Sequence, residues 1–355
     1  MTRQATAEIL GLEIDGMPAT YADGADAVVN IFTDLPVDPF ATSMETGGSS
    51  FIMHFQLLGD AMLAWSNSSK RFRDIVDEDW INIVRWFGFY VRRDWPRFDE
   101  HAKRYWSDDW PVEPSPMARH DAIHRALEVV FLNIFPTREY LHWNLGVRMM
   151  DGEDSGNWEA IPSFAEGWVS SHDVAKIQRD LFDVLNQFVQ CRWQLLPGMI
   201  LNVYRAVGIA DDPTWRITRD DFTSLRDLNN AIFEQSYKIL PTVMAFNNCL
   251  ARGAAEQFPD GTSWDLTKLE RKRAVDKENL LKTFKPWGEE MTFVLNRQLR
   301  NAIGHTSATH NLASGEVIAP DFGIRYADFV AQITVEIQAL LLCLNVVKLL
   351  AIGTD

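Results

Sequence analysis

The strongest constraint on the fold comes from the last long apolar run of the chain, Ile333–Ile352. A stretch this long and this apolar is either a membrane span or a helix at the centre of a protein core. Glu336, Gln338, Asn345 and Lys348 interrupt it. A carboxylate, two amides and an ammonium spread along one segment are costly in hydrocarbon. The segment therefore reads as a buried helix, with no membrane expected. A helix apolar on nearly every side needs partners all round, and the rest of the chain has to supply them.

Those partners are visible as apolar residues three and four apart, the mark of an amphipathic helix. Phe51, Phe55, Leu58, Met62 and Trp65 form one such series, and Ile81, Val84, Phe87 and Val91 a second. Helical spacing returns over Ala122–Phe135 and Val174–Leu196. Thr223–Ala254 follows with Leu225, Leu228, Ile232, Tyr237 and Leu240, interrupted by Pro241. Val275–Ile303 is a further helical segment with a break near Pro286, and Arg325–Ile352 is the last. Trp95–Pro116 is rich in Pro, Trp and Asp and reads as a connection; Asp151–Gly167 reads as a loop. Val317 and Ile318 fit one arm of a short hairpin. The expected fold class is mainly α. Thirteen Trp and 21 Phe provide for a large core.

Three regions follow. Residues 1–50 carry Asp34-Leu35-Pro36-Val37-Asp38-Pro39, which no helix interior accepts, and read as a partly ordered arm. Residues 51–222 are a helical, acidic region. A polar break at Asp211-Asp212-Pro213 and Thr218–Thr223 separates them from a helical domain over 223–355. Charge follows the same division. Residues 1–222 hold 20 Lys+Arg against 34 Asp+Glu, whereas residues 223–355 hold 14 against 15. The overall charge of −15 argues against a passive, high-affinity nucleic-acid coat, because phosphate contacts drive such binding. The nearly neutral C-terminal region leaves room for a local phosphate site. Cys191, Cys249 and Cys343 lie far apart, which points to reduced thiols, and the N-terminus has no basic start followed by an apolar run. A cytoplasmic protein is expected.

Chemistry concentrates in Leu299-Arg300-Asn301-Ala302-Ile303-Gly304-His305. Residues five apart on a continuing helix are separated by about 140° around its axis, so Arg300 and His305 would not share a face. Gly304, read as the helix-terminating residue, would let His305 swing back toward Arg300. Arg offers a planar fork that fits a phosphate. His moves protons near neutral pH. Asn301 can orient a hydroxyl or the imidazole. Such a set suits metal-independent cleavage of RNA, whose own 2′-hydroxyl is the nucleophile. An Arg and a His at this separation arise by chance about once in a chain of this length. The adjacent Asn and the helix-end position make the combination rarer. The bland alternative is a helix C-terminus followed by an ordinary loop histidine.

This motif, then Ser314-Gly315-Glu316-Val317-Ile318, then a long apolar helix, resembles the HEPN superfamily over about residues 223–355. The resemblance implies a small helical bundle with a hairpin after the motif. It also implies a metal-independent endoribonuclease with Arg300, Asn301 and His305 as catalytic residues, and a homodimer whose sites face one another. Many such proteins are toxins or phage-defence effectors; others are non-catalytic scaffolds or antitoxin-like partners, and both readings stay open. Region 1–222 would then regulate the activity, respond to a protein partner or build the oligomer.

Secondary candidates surround the motif. His310, in His305-Thr306-Ser307-Ala308-Thr309-His310, could bind substrate, or be a solvated loop residue. Lys272 and Arg273, in the basic run Lys268–Lys277, could guide RNA, or form a solvated helix face. Arg92 and Arg93 with Trp86 and Trp95 could stack a base, but core packing fits these aromatics better. His120, His124 and Glu128 share a helix face, without the glutamate beside His120 that a metalloprotease pattern needs. No P-loop, GxGxxG or GxSxG motif occurs. No metal and no cofactor are expected.

Overall fold

A computed structural model describes residues 54, 56–106, 110–134, 157–217, 221–258, 265–283, 295–304, 308–320 and 322–352. The expected arm over 1–50 lies outside them. The fold is mainly α-helical with one small sheet. In chain order the helices are α1 (Asp60–Val91), α2 (Trp95–Trp106), α3 (Pro116–Leu132), α4 (Ala160–Ser171), α5 (Val174–Gln190), α6 (Arg192–Ala206), α7 (Phe222–Arg252), α8 (Leu266–Glu270), α9 (Ala274–Leu281) and α10 (Arg297–Ile303). Strands β1 (Thr309–Asn311), β2 (Glu316–Ala319) and β3 (Phe322–Arg325) follow, then α11 (Tyr326–Ile352).

α11 is the central helix that the apolar run requires. It packs mainly on α6 and α7, and also meets α3, α4, α5, β2 and β3. Leu340, Leu342, Cys343, Val347 and Leu350 are all buried. By length and composition it could cross a membrane, but in this fold most of it is buried against other helices. α7 is its closest long companion; every residue from Ile239 to Leu250 is buried. Burying a large aliphatic side chain contributes about 1.5–3 kcal/mol, so this pair anchors the core.

α1 carries Met62 and Trp65 of the first apolar series together with the second; Phe51 and Phe55 lie outside the described residues. Met62, Trp65, Ser69, Phe72, Val76, Trp80, Ile83, Phe87 and Tyr90 form a continuous buried stripe, while Ile81 faces out. Ser115 caps α3 by accepting the Ala118 N–H at 3.1 Å, and Pro116 begins the helix where its missing N–H costs nothing.

Three expectations need correction. Trp95–Pro116 is not merely a connection, because Trp95–Trp106 is helical. Pro96 lies in its first turn, where proline is tolerated, and Phe98 and Ala102 bury one face. Ala160–Gly167 lies in α4 rather than in a loop, with Ile161, Ala165 and Trp168 as its buried stripe. Pro241 does not interrupt α7. A helical proline leaves the carbonyl four residues earlier without its N–H donor. Here that carbonyl, on Tyr237, accepts a hydrogen bond from Nζ of the buried Lys277 at 3.2 Å.

The predicted hairpin is a three-stranded antiparallel meander. His310 is opposite Val317, and Val317 is opposite Ile324. β2 alternates exposed Glu316 and Ile318 with buried Val317 and Ala319, so one face covers the core.

Candidate active site

α10 carries the motif. Asn296 caps it, its Oδ1 accepting the Leu299 N–H at 3.0 Å. Leu299 and Ile303 are buried, and the helix packs on α7 and β2. Anchoring by these two residues leaves Asn301 exposed and the Arg300 side chain one-third exposed.

The Arg300 guanidinium is held on three sides. Its centre lies 5.4 Å from the ring centroid of Phe233, a cation–π arrangement. Nη1 donates to Asn301 Oδ1 at 3.3 Å, and Nη2 forms an ion pair with Glu234 of α7. Nε is buried without a hydrogen-bond acceptor. Planar donors laid on a ring and turned toward an exposed carboxylate can receive a phosphate, provided Glu234 gives way.

Gly304 caps α10 in the right-handed region, φ −65° and ψ −17°, with its N–H bonded to the Arg300 carbonyl at 2.7 Å. Gly304 therefore ends the helix as expected, without a left-handed conformation. Close approach accounts for the glycine instead: a Cβ there would stand 2.7 Å from the Arg300 carbonyl oxygen and 3.1 Å from Asn230 Oδ1. His305 lies outside the described residues, so the Arg300–His305 pairing is not part of this geometry.

His310 is on β1, partly buried, with its ring stacked on Tyr326 at 4.0 Å between centroids. α10 packs on β2, the strand with which β1 pairs. Lys272 and Arg273 occupy the turn between α8 and α9. Arg273 has an acidic partner of its own, Asp276, at 3.1 Å. α9 joins the motif helix further along, through an ion pair between Glu278 and Arg297.

A polar group behind the motif is not apparent from spacing. Glu336 of α11 is fully buried. It accepts the Asn296 backbone N–H at 3.3 Å, Gln332 Nε2 at 3.4 Å and Asn229 Nδ2. Burial raises its carboxyl to about 8, although the Asn296 and Gln332 donors pull the other way. Its sequence signal was the one carboxylate among the polar residues that interrupt this apolar run, since such a group is rarely buried without partners.

Trp86, His120 and His124 lie in the core. Trp86 is buried and stacks on Tyr105, with centroids 5.4 Å apart. His120 and His124 are buried side by side in the core. His120 Nδ1 lies 2.5 Å from the Tyr90 hydroxyl, and that hydroxyl also accepts from Gln178 Nε2 at 3.0 Å. Burial pushes the His124 imidazole well below its usual range, with Lys348 and then His120 adding to the shift. Among the described residues no His, Cys, Asp and Glu group could hold a metal. No family model, curated protein or solved structure matches the chain.

Proposed function

We propose that this chain is a metal-independent endoribonuclease of the HEPN type, acting through Arg300, Asn301 and His305. The observation that carries this reading is the Arg300 guanidinium, seated on Phe233 at the open side of α10 beside Asn301. The segment containing His305 follows that helix directly.

In the proposed reaction the 2′-hydroxyl of one nucleotide attacks its own 3′-phosphate. His305 moves one of the two protons involved: that removed from the 2′-oxygen or that delivered to the departing 5′-oxygen. Arg300 offsets charge on the pentavalent phosphorus, and Asn301 orients the reacting hydroxyl. The products are a 2′,3′-cyclic phosphate and a 5′-hydroxyl. Lys272, Arg273 and His310 would contact the strand. A homodimer, control by residues 1–222 or a protein regulator, and a toxin or defence role extend the proposal, as does a cytoplasmic location.

One observation favours the rival reading of a non-catalytic, antitoxin-like interaction protein: Glu234 already occupies the Arg300 fork. The decisive test is RNA cleavage by the intact protein in EDTA, beside Arg300→Ala and His305→Ala. Activity that survives chelation and disappears in both variants supports the ribonuclease. Folded wild-type protein that leaves RNA intact, even with cell extract to supply a trigger, supports the interaction protein.

A further inference from the structure

Glu336 occupies an unusual place. It is a carboxyl group with no exposure, in the middle of the most apolar helix of the chain. Unpaired charge there is strongly disfavoured, yet among the described residues its bonded partners are amides and not cations. The cations of α10 are engaged elsewhere, Arg297 with Glu278 of α9 and Arg300 with Glu234 of α7. Tyr237 of α7 feels the Glu336 charge only weakly: its hydroxyl is pushed up by burial first and by Glu278 next, Arg297 pulls the other way, and Glu336 comes last.

The partners of Glu336 instead belong to the elements that build the candidate site. The Asn296 backbone N–H, at the N-terminal end of α10, donates to Oε1. So does Gln332, one turn earlier on α11. Asn229 of α7 faces Oε2, and its neighbour Asn230 lies against Gly304 at the other end of α10. One carboxyl therefore ties the first turn of the motif helix to both central helices.

We propose that Glu336 is the positioning residue of the motif helix, fixing α10, and with it Arg300 and Asn301, against α7 and α11. The arrangement suits a neutral acid. Oε1 takes two N–H donors as a carbonyl would, and a protonated Oε2 can donate to the Asn229 amide oxygen once that amide turns over. The Asn229 oxygen is otherwise buried without a partner. Ionisation adds a charge to an apolar site and removes the Oε2 hydroxyl donor. Loss of the proton would then loosen α10 from its seat.

The positioning role rests on the ribonuclease reading only in its catalytic consequence, so the test has two arms, both on the full chain. The first compares amide exchange of residues 296–303, corrected for intrinsic rate, in wild type, Glu336→Gln and Glu336→Ala at pH 6 and pH 9. Glutamine offers the same carbonyl and an amide donor toward Asn229. It should hold α10 equally at both pH values. Wild type should match it at pH 6 and exchange at least tenfold faster at pH 9, and Ala should exchange fast at both. The second arm follows RNA cleavage over the same range. The high-pH loss of wild-type kcat should be absent from Glu336→Gln, while KM changes little. Parallel exchange in wild type and Glu336→Gln at both pH values overturns the proposal, whether or not Glu336→Ala folds. Absence of cleavage in every protein, with the exchange pattern as expected, overturns the ribonuclease reading and leaves the positioning role standing.

Discussion

The Tyr237 carbonyl lacks its helical donor because proline sits four residues on, and Lys277 supplies one from outside α7. Lys277→Met should keep the aliphatic stem and lose the donor. Leaving a buried carbonyl unsatisfied costs about 1–3 kcal/mol. Urea unfolding at neutral pH should show a loss of that size; an unchanged midpoint would mean that the carbonyl finds another partner. His124 allows a second prediction at this scale. Its Nε2 is buried without a partner, and its folded-state value is depressed. The unfolded chain takes up the proton near the ordinary value of about 6.5, whereas the folded chain resists it. This group therefore removes stability as pH falls below that value. Between pH 7 and pH 5 wild type should lose more stability than His124→Leu, and equal losses would contradict the assignment. From sequence, Lys277 belonged to a basic run and His124 to a histidine pair. Their roles depend on the carbonyl of one helix and the burial of another, which linear spacing does not carry.

Among the elements, α6 and α11 pack backbone to backbone at Gly198. A Cβ on Gly198 would stand 2.6 Å from the Ala331 nitrogen and 2.7 Å from the Val330 carbonyl oxygen. Asn202, one turn further on, donates to the Ala331 carbonyl at 3.0 Å and to Thr334 Oγ1 at 2.6 Å. Gly198→Ala should force the helices apart and cost about 1–3 kcal/mol, the usual range for overpacking. A thermal midpoint equal to wild type would show that the interface yields freely. Apolar periodicity was a sound guide to α1, α3, α5, α7 and α11, because each buries a long stripe. It was a poor guide to α2 and α4, where a few buried residues sit among polar ones and proline near each start resembles a loop. For α10 the composition pointed to the helix end at Gly304, but not to the crowding of the Arg300 carbonyl and the Asn230 side chain that a Cβ there would meet.

Across the whole molecule, the apolar core runs without interruption past residue 222. α11 lies against α6, α5, α4 and α3 as well as α7. A fragment of residues 223–355 would uncover much of α11, and we expect it to be insoluble or to lack a cooperative unfolding transition. A soluble fragment with the stability of the intact chain would contradict this. The polar break at 211–223 was legible, but a break in polarity does not report which surfaces meet. The charge asymmetry similarly reports where acidity lies, not what it does. Of the candidate site, Arg300 and Asn301 were legible as a motif. Glu234, Glu336 and Asn229 were not, because they reach the motif from helices distant in sequence.

In the proposed reaction the RNA strand supplies its own nucleophile at a site organised by Arg300 and His305. The most direct measurement uses an oligonucleotide cleaved at one position, compared with the same strand carrying a single 2′-deoxy sugar there. In EDTA the all-ribose strand should yield a 2′,3′-cyclic phosphate end, and the substituted strand should stay intact at that position. Cleavage of the substituted strand at the same bond, or a 5′-phosphate product from either strand, would contradict it.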